Sequence, residues 1–128
     1  MTHHLDLSQL LWTAERLPGD PQADDYGSLI AAIDRAGAAA FGYEVYGSVP
    51  LKAAALFQTI ALLKPLEHSN KTFAFAAARA FMRANGQVLR PKPDQLSELL
   101  ANIQPGAPGV RAIAERLAQW VRPPGVQA

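Results

Sequence analysis

The nine residues Lys64-Pro65-Leu66-Glu67-His68-Ser69-Asn70-Lys71-Thr72 gather most of the chain's chemical options in one place. Pro65 disfavours helix at Lys64, so a helix arriving from the N-terminal side must stop there. A new helix starts near Asn70, because Phe73 to Ala78 is an unbroken apolar run and a helix apolar all round is a buried one. The junction therefore delivers Ser69, Asn70 and Lys71 to the start of a central helix. The first N–H groups of such a helix lack intrahelical acceptors, and its dipole adds partial positive charge. A phosphate or another anion fits there, and Lys71 would add a full charge. Taken as residues alone, Ser69-Asn70 before an apolar run is first of all an N-cap. His68 by the same standard is a partly exposed loop histidine.

Other polar groups offer less. His3-His4 is too short a cluster for a dedicated metal site, and no metal ligand set is assigned. Asp24-Asp25 reads as a helix cap more readily than as a catalytic carboxylate pair. Arg79 and Arg83 lie one turn apart on the central helix, within reach of Glu15, Glu44 or a phosphate, and mark its solvent-facing edge. Trp12 and Trp120 sit on amphipathic segments and read as core or interface packing.

The elements that must hold these residues are nearly all helical. Leu7, Leu10, Leu11, Ala14 and Leu17 follow the i, i+3, i+4 spacing after a capping Asp6 or Ser8, and Pro18-Gly19-Asp20-Pro21 ends that run. A second helix is expected from about Asp25 to Ala39. Phe41-Gly42-Tyr43-Glu44-Val45-Tyr46-Gly47 breaks the pattern as a loop or short extended flap. Ser48 and Pro50 open a third helix that continues to Leu63. The fourth, from Asn70, ends at Asn85-Gly86. Gln87 to Pro93 is an extended connector. Asp94 caps a fifth helix running through Ile103, and a sixth runs from about Gly109 to Val121. Residues 122–128, with Pro123-Pro124-Gly125, read as a frayed tail.

Composition sets the class. The 128 residues are enough for one domain, 49% of them are apolar, and 12 Lys and Arg stand against 11 Asp and Glu for a net charge of +1. The sequence is expected to form a single domain over 1–128, with its core at about 5–121. No clustered basic excess calls for nucleic acid. With no cysteine, disulfides and thiolate-bound zinc are excluded. There is neither a bilayer-spanning apolar run nor a signal-peptide pattern, so no membrane partner and a cytoplasmic location are expected.

The motif region resembles the Fic/Doc family, whose loop–helix signature has the form His-Pro-Phe-x-Asp-Gly-Asn-Lys-Arg, followed by an apolar helix that ends in Asn-Gly. Lys64 to Thr72 and then Asn85-Gly86 match that spacing without a gap. The likeness extends to the Leu11-to-Leu17 helix end, the Phe41-to-Tyr46 flap, Lys52-Ala53-Ala54 and the Val110-to-Leu117 helix, about residues 5 to 121 in all. It implies an all-α fold, a compact Fic/Doc-type bundle of about six helices around a buried central helix with a short flap.

The resemblance also implies an activity: transfer of a phosphoryl or nucleotidyl group from ATP or another NTP, with Mg²⁺, to a protein hydroxyl, in a toxin paired with an antitoxin protein. Carried over by position, Lys64 stands where the family's basic histidine takes a proton, and an ammonium near pKa 10.4 is a poor base. His68 replaces the carboxylate that would hold Mg²⁺, where a hard oxygen is wanted. Ser69 replaces a glycine, and Thr72 replaces the arginine that grips phosphate. Asn70 and Lys71 are kept, and lysine at that place is similar to the phosphate-transferring Doc branch. The expected phosphate-binding set is thus Ser69, Asn70, Lys71 and Thr72, and the expected catalytic set is Lys64, His68 and Glu67. The pattern suggests a degenerate enzyme; the alternative is an enzyme with reassigned roles, in which Glu67 would be the metal ligand and His68 the base. The replacements suggest an activity weakened or altered. The alternatives are a catalytically inactive Fic-fold binding or scaffold protein, and a nucleotide-dependent enzyme acting on a small molecule.

Overall fold

The computed structural model describes residues 2–122. Helix α1 (Leu7–Glu15) opens on a reciprocal cap, in which Asp6 Oδ1 accepts from Gln9 N at 2.9 Å and Gln9 Oε1 accepts from Asp6 N at 2.8 Å. Helix α2 (Tyr26–Ala36) is capped by Asp25, whose carboxylate takes the Ser28 amide at 3.1 Å and the Ser28 hydroxyl at 2.7 Å. Those bonds hold Asp25 below the usual carboxylate range. The helix stops three residues earlier than its alanines suggest, since Ala39–Ala40 (β1) pairs antiparallel with Tyr43–Glu44 (β2) instead. The flap is therefore a tight hairpin.

Helix α3 (Val49–Leu63) starts at Ser48, whose Oγ accepts from Leu51 N at 3.3 Å, and ends at Lys64 in the left-handed conformation. Helix α4 (Asn70–Ala84) lies at the centre, packed against α1 and α3, while α3 also meets α2 and α6 (Val110–Gln119). Phe57, Ile60, Phe73, Ala77 and Phe81 are buried together in one core, as the apolar run implies. Gly86, at φ +79°, closes α4: its N–H reaches Arg83 O and Gln87 N–H reaches Met82 O, the paired bonds that favour glycine at this place. The Asn85 carboxamide straps the N-terminal segment down, taking His3 N at 2.8 Å and giving to His3 O at 2.9 Å.

Several boundaries differ from expectation for local reasons. Helix α5 runs Pro93–Asn102 with Lys92 at its cap, so Asp94 lies in the first turn; Pro93 is already set at helical φ and takes the first position. Val88–Leu89 (β3) pairs antiparallel with Val121–Arg122 (β4), so Arg122 belongs to a strand pair and not to a tail. The remainder of the expected frayed tail, 123–128, lies outside the described residues. Trp120 is buried edge-on to Phe75, but Trp12 is 56% exposed, with the Arg16 guanidinium 3.6 Å over its ring. Among the described residues no helix is long and apolar enough to cross a membrane.

Candidate functional site

The loop from Lys64 to Ser69 is stitched along its length to the segment before α2. Pro65 O accepts from both Asp24 N at 2.8 Å and Asp25 N at 3.0 Å, and Leu66 bridges Ala23. Gln22 and Glu67 then exchange two bonds: Glu67 N donates to Gln22 O at 3.0 Å, and Gln22 N donates to Glu67 Oε1 at 3.1 Å. The two ends of the loop turn through left-handed residues, Lys64 at φ +53° and Ser69 at φ +64°. Non-glycine residues rarely occupy that region, so the loop is held by its contacts and not by local preference.

Asn70 is the clamp. Its Oδ1 accepts from Leu66 N at 2.8 Å and its Nδ2 donates to Leu66 O at 2.9 Å, fixing both backbone groups of a residue that is buried. As the first residue of α4 it closes the loop with its side chain, and the first backbone amides of the helix stand beside Lys71 without a side-chain cap. Ser69 stands at the cap position, but its hydroxyl makes no cap bond. Ser69 is thus the N-cap residue as expected, but it caps through its carbonyl, which takes Phe73 N at 2.9 Å, and not through its hydroxyl. The hydroxyl meets His68 Nδ1 at 2.8 Å instead.

Lys64, Glu67, His68, Ser69, Lys71 and Thr72 are all exposed, and Asn70 is half-buried. His68 Nε2 lies 3.8 Å from Glu67 Oε1, so Glu67, His68 and Ser69 form a short line of carboxylate, imidazole and hydroxyl. His68 also packs on the Pro18–Pro21 turn, where a Cβ at Gly19 would come within 3.2 Å of its ring. Thr72 faces a cleft of about 490 Å³ that it shares with Trp12, Arg16, Phe75 and Arg79. Arg79 and Arg83 are exposed, as expected, and neither is ion-paired to Glu15 or Glu44.

A second cluster escaped sequence reasoning. Lys52 is 2% exposed, yet its Nζ donates to Glu44 Oε2 at 2.9 Å and to Tyr46 O. The Lys52 ammonium holds the Glu44 carboxyl below the usual range, through the hydrogen bond first and charge second. Beside it, Arg35 Nε donates to the Tyr46 hydroxyl at 2.9 Å, and its Nη1 reaches Gln58 Oε1 at 2.8 Å and Thr59 Oγ1 at 3.1 Å. Two buried or half-buried cations thus fasten the base of the hairpin to α2 and α3. A lysine directly ahead of three alanines in a buried helix was the available signal.

Fold and site together define a helical protein that presents a rigid loop at the open N-terminus of its central helix. No model of a known protein family matches the sequence, and no solved structure matches it. The curated protein named Toxin Doc from Mycolicibacterium smegmatis (strain ATCC 700084 / mc(2)155) does: it is 38% identical over 87 residues, covering 67% of this chain and 67% of the relative. The chain belongs to the Doc toxin family.

Proposed function

We propose that this protein acts as a Doc-type toxin, transferring a phosphoryl or nucleotidyl group from a nucleoside triphosphate to a protein hydroxyl, at a rate lowered by its altered motif. The observation that carries the reading is the Asn70 clamp on Leu66. The apparatus that shapes the loop is intact, while the side chains projecting from it have changed. Both left-handed turns are kept by that clamp and by the bonds to residues 22–25, so the loop retains one fixed shape.

The phosphate side of the site suits an anion. The first amides of α4 have no side-chain cap, and Lys71 stands among them with an exposed charge. The donor would be ATP or another NTP, held by the amides after Ser69 together with Lys71 and the Thr72 hydroxyl. The metal side suits Mg²⁺ poorly. His68 stands where a hard oxygen is wanted, Glu67 already accepts from Gln22 N, and no group of three His, Asp or Glu gathers among the described residues. The role of proton acceptor falls to His68, whose imidazole has the Ser69 hydroxyl 2.8 Å from Nδ1 and the Glu67 carboxylate 3.8 Å from Nε2. The proposed partner is an antitoxin protein that restrains the activity, and the proposed compartment is the cytoplasm.

Titration of labelled protein with ATP and with GTP tests the reading. It requires amide shifts at Ser69 to Thr72 and growth arrest on expression, relieved by co-expressing the antitoxin. Nucleotide shifts confined to another face, with expression harmless, would rule the reading out.

A further inference from the structure

We propose that Ser69 is itself an activated nucleophile, a site at which this protein takes a phosphoryl group onto its own chain. Three observations converge on the hydroxyl. It accepts no helix-capping amide. It lies 2.8 Å from His68 Nδ1, close enough to hand over its proton. The opposite ring nitrogen faces Glu67 at 3.8 Å, so an imidazolium formed at His68 would be stabilised by a carboxylate already in place. Glu67 is in turn fixed by Gln22 N–H at 3.1 Å. The order is that of a nucleophile, its base and a carboxylate close enough to act on the base by charge, built from three consecutive residues.

The backbone supports the same assignment. Ser69 sits at φ +64°, immediately before α4, and is exposed. A strained turn ahead of a helix exposes a serine oxygen in strand-to-helix nucleophile turns; here the turn follows the loop after α3. A glycine would meet the conformational demand without strain. Ser69 therefore carries its hydroxyl at some cost to the backbone, and that hydroxyl is hydrogen-bonded to the His68 imidazole.

The reaction is a substitution at phosphorus. Ser69 Oγ forms the new O–P bond, the bond from phosphorus to the leaving group breaks, and the hydroxyl proton moves to His68 Nδ1. With a nucleoside triphosphate the leaving group is the nucleoside diphosphate; that choice of donor rests on the function proposed above. The nucleophile itself does not, and an alkyl fluorophosphonate probe tests it without nucleotide, with fluoride leaving.

Intact-mass and peptide mapping of the whole chain after fluorophosphonate treatment should find one adduct, on Ser69, with Ser8, Ser28, Ser48 and Ser97 unmodified. Ser69→Gly suits the left-handed backbone, keeps the fold and should abolish the adduct. His68→Gln keeps a polar side chain without a base and should slow labelling by about tenfold or more. In a parallel arm, ATP with Mg²⁺ should leave one phosphoryl group on the Ser69 peptide. No adduct at Ser69, equal labelling of the other serines, or an unchanged rate in His68→Gln each overturns the proposal. A fluorophosphonate adduct without phosphorylation by ATP or GTP upholds the nucleophile and overturns the nucleoside triphosphate as its donor.

Discussion

At the scale of single residues, Asn70 and Glu44 make opposite kinds of contribution. Asn70 satisfies both backbone groups of buried Leu66, so Asn70→Ala leaves a donor and an acceptor without partners. Each such loss costs on the order of 1–3 kcal/mol, and the variant should lose about 2–4 kcal/mol in urea unfolding. Asn70→Asp separates the clamp from simple side-chain size: it can still accept from Leu66 N, but it sets a carboxylate against Leu66 O and should be destabilised too. A neutral Asn70→Ala would remove the clamp from the argument. Glu44 acts through its hydrogen bond to Lys52 first and through charge second. Its folded pKa lies below the ordinary glutamate value of about 4.3 because of Lys52. The contribution is therefore complete above that ordinary value and is lost as pH falls through the lower folded one. The melting-temperature gap between the unmodified protein and Glu44→Gln should be constant near neutrality and close only in acid. A gap that widened on acidification would contradict the assigned pairing.

At the scale of elements, the hairpin is the part that local preference would not have built. Its two-residue turn puts Phe41 and Gly42 both at positive φ, +53° and +81°, which suits Asn-Gly and not Phe-Gly. Phe41 is 99% exposed and repays its strain with no packing in this chain. Phe41→Asn should therefore stabilise the hairpin by roughly 1 kcal/mol, and the Val45 amide, bonded to Ala38 O, should exchange about fivefold more slowly. Unchanged or faster exchange would show that the turn is not strained. The helices were legible because burial imposes a period: Leu10 and Ala14, Leu29 and Ala32, Ile113 and Leu117 face the core at the spacing the sequence shows. Their ends were less so. Ala39 is a good helix former that went to a strand pair, and Arg122, next to a proline-rich run, found a partner in Val88. Both outcomes depend on residues distant in sequence, which periodicity does not register.

At the scale of the whole molecule, sequence spacing located the loop and the start of α4, and it could not say what each side chain does there. Asn70 turned inward to Leu66, Ser69 turned to His68, and Gln22, 45 residues away, took hold of Glu67. These are consequences of chain crossing, so the motif's letters carry no trace of them. They bear directly on repair. If altered chemistry limits the proposed transfer, Lys64→His alone should restore little, because His68 is a nitrogen ligand where Mg²⁺ wants oxygen and Thr72 holds phosphate without a charge. Groups that act as a unit are strongly non-additive, so single repairs recover less than their share and a joint repair recovers more. Combining Lys64→His, His68→Asp and Thr72→Arg should raise nucleotide-dependent labelling of protein targets, and growth arrest on expression, well above any single change. All three positions are exposed and none supplies the Asn70 clamp, so the fold should survive, which circular dichroism checks. The same triple variant should lose modification at Ser69, since the imidazole beside that hydroxyl is gone. Strong transfer by the unmodified protein, abolished by His68→Ala or Glu67→Ala, would show that catalysis had been reassigned within the loop. A folded triple variant that neither binds nucleotide nor labels any protein would mean that this loop serves recognition without transfer.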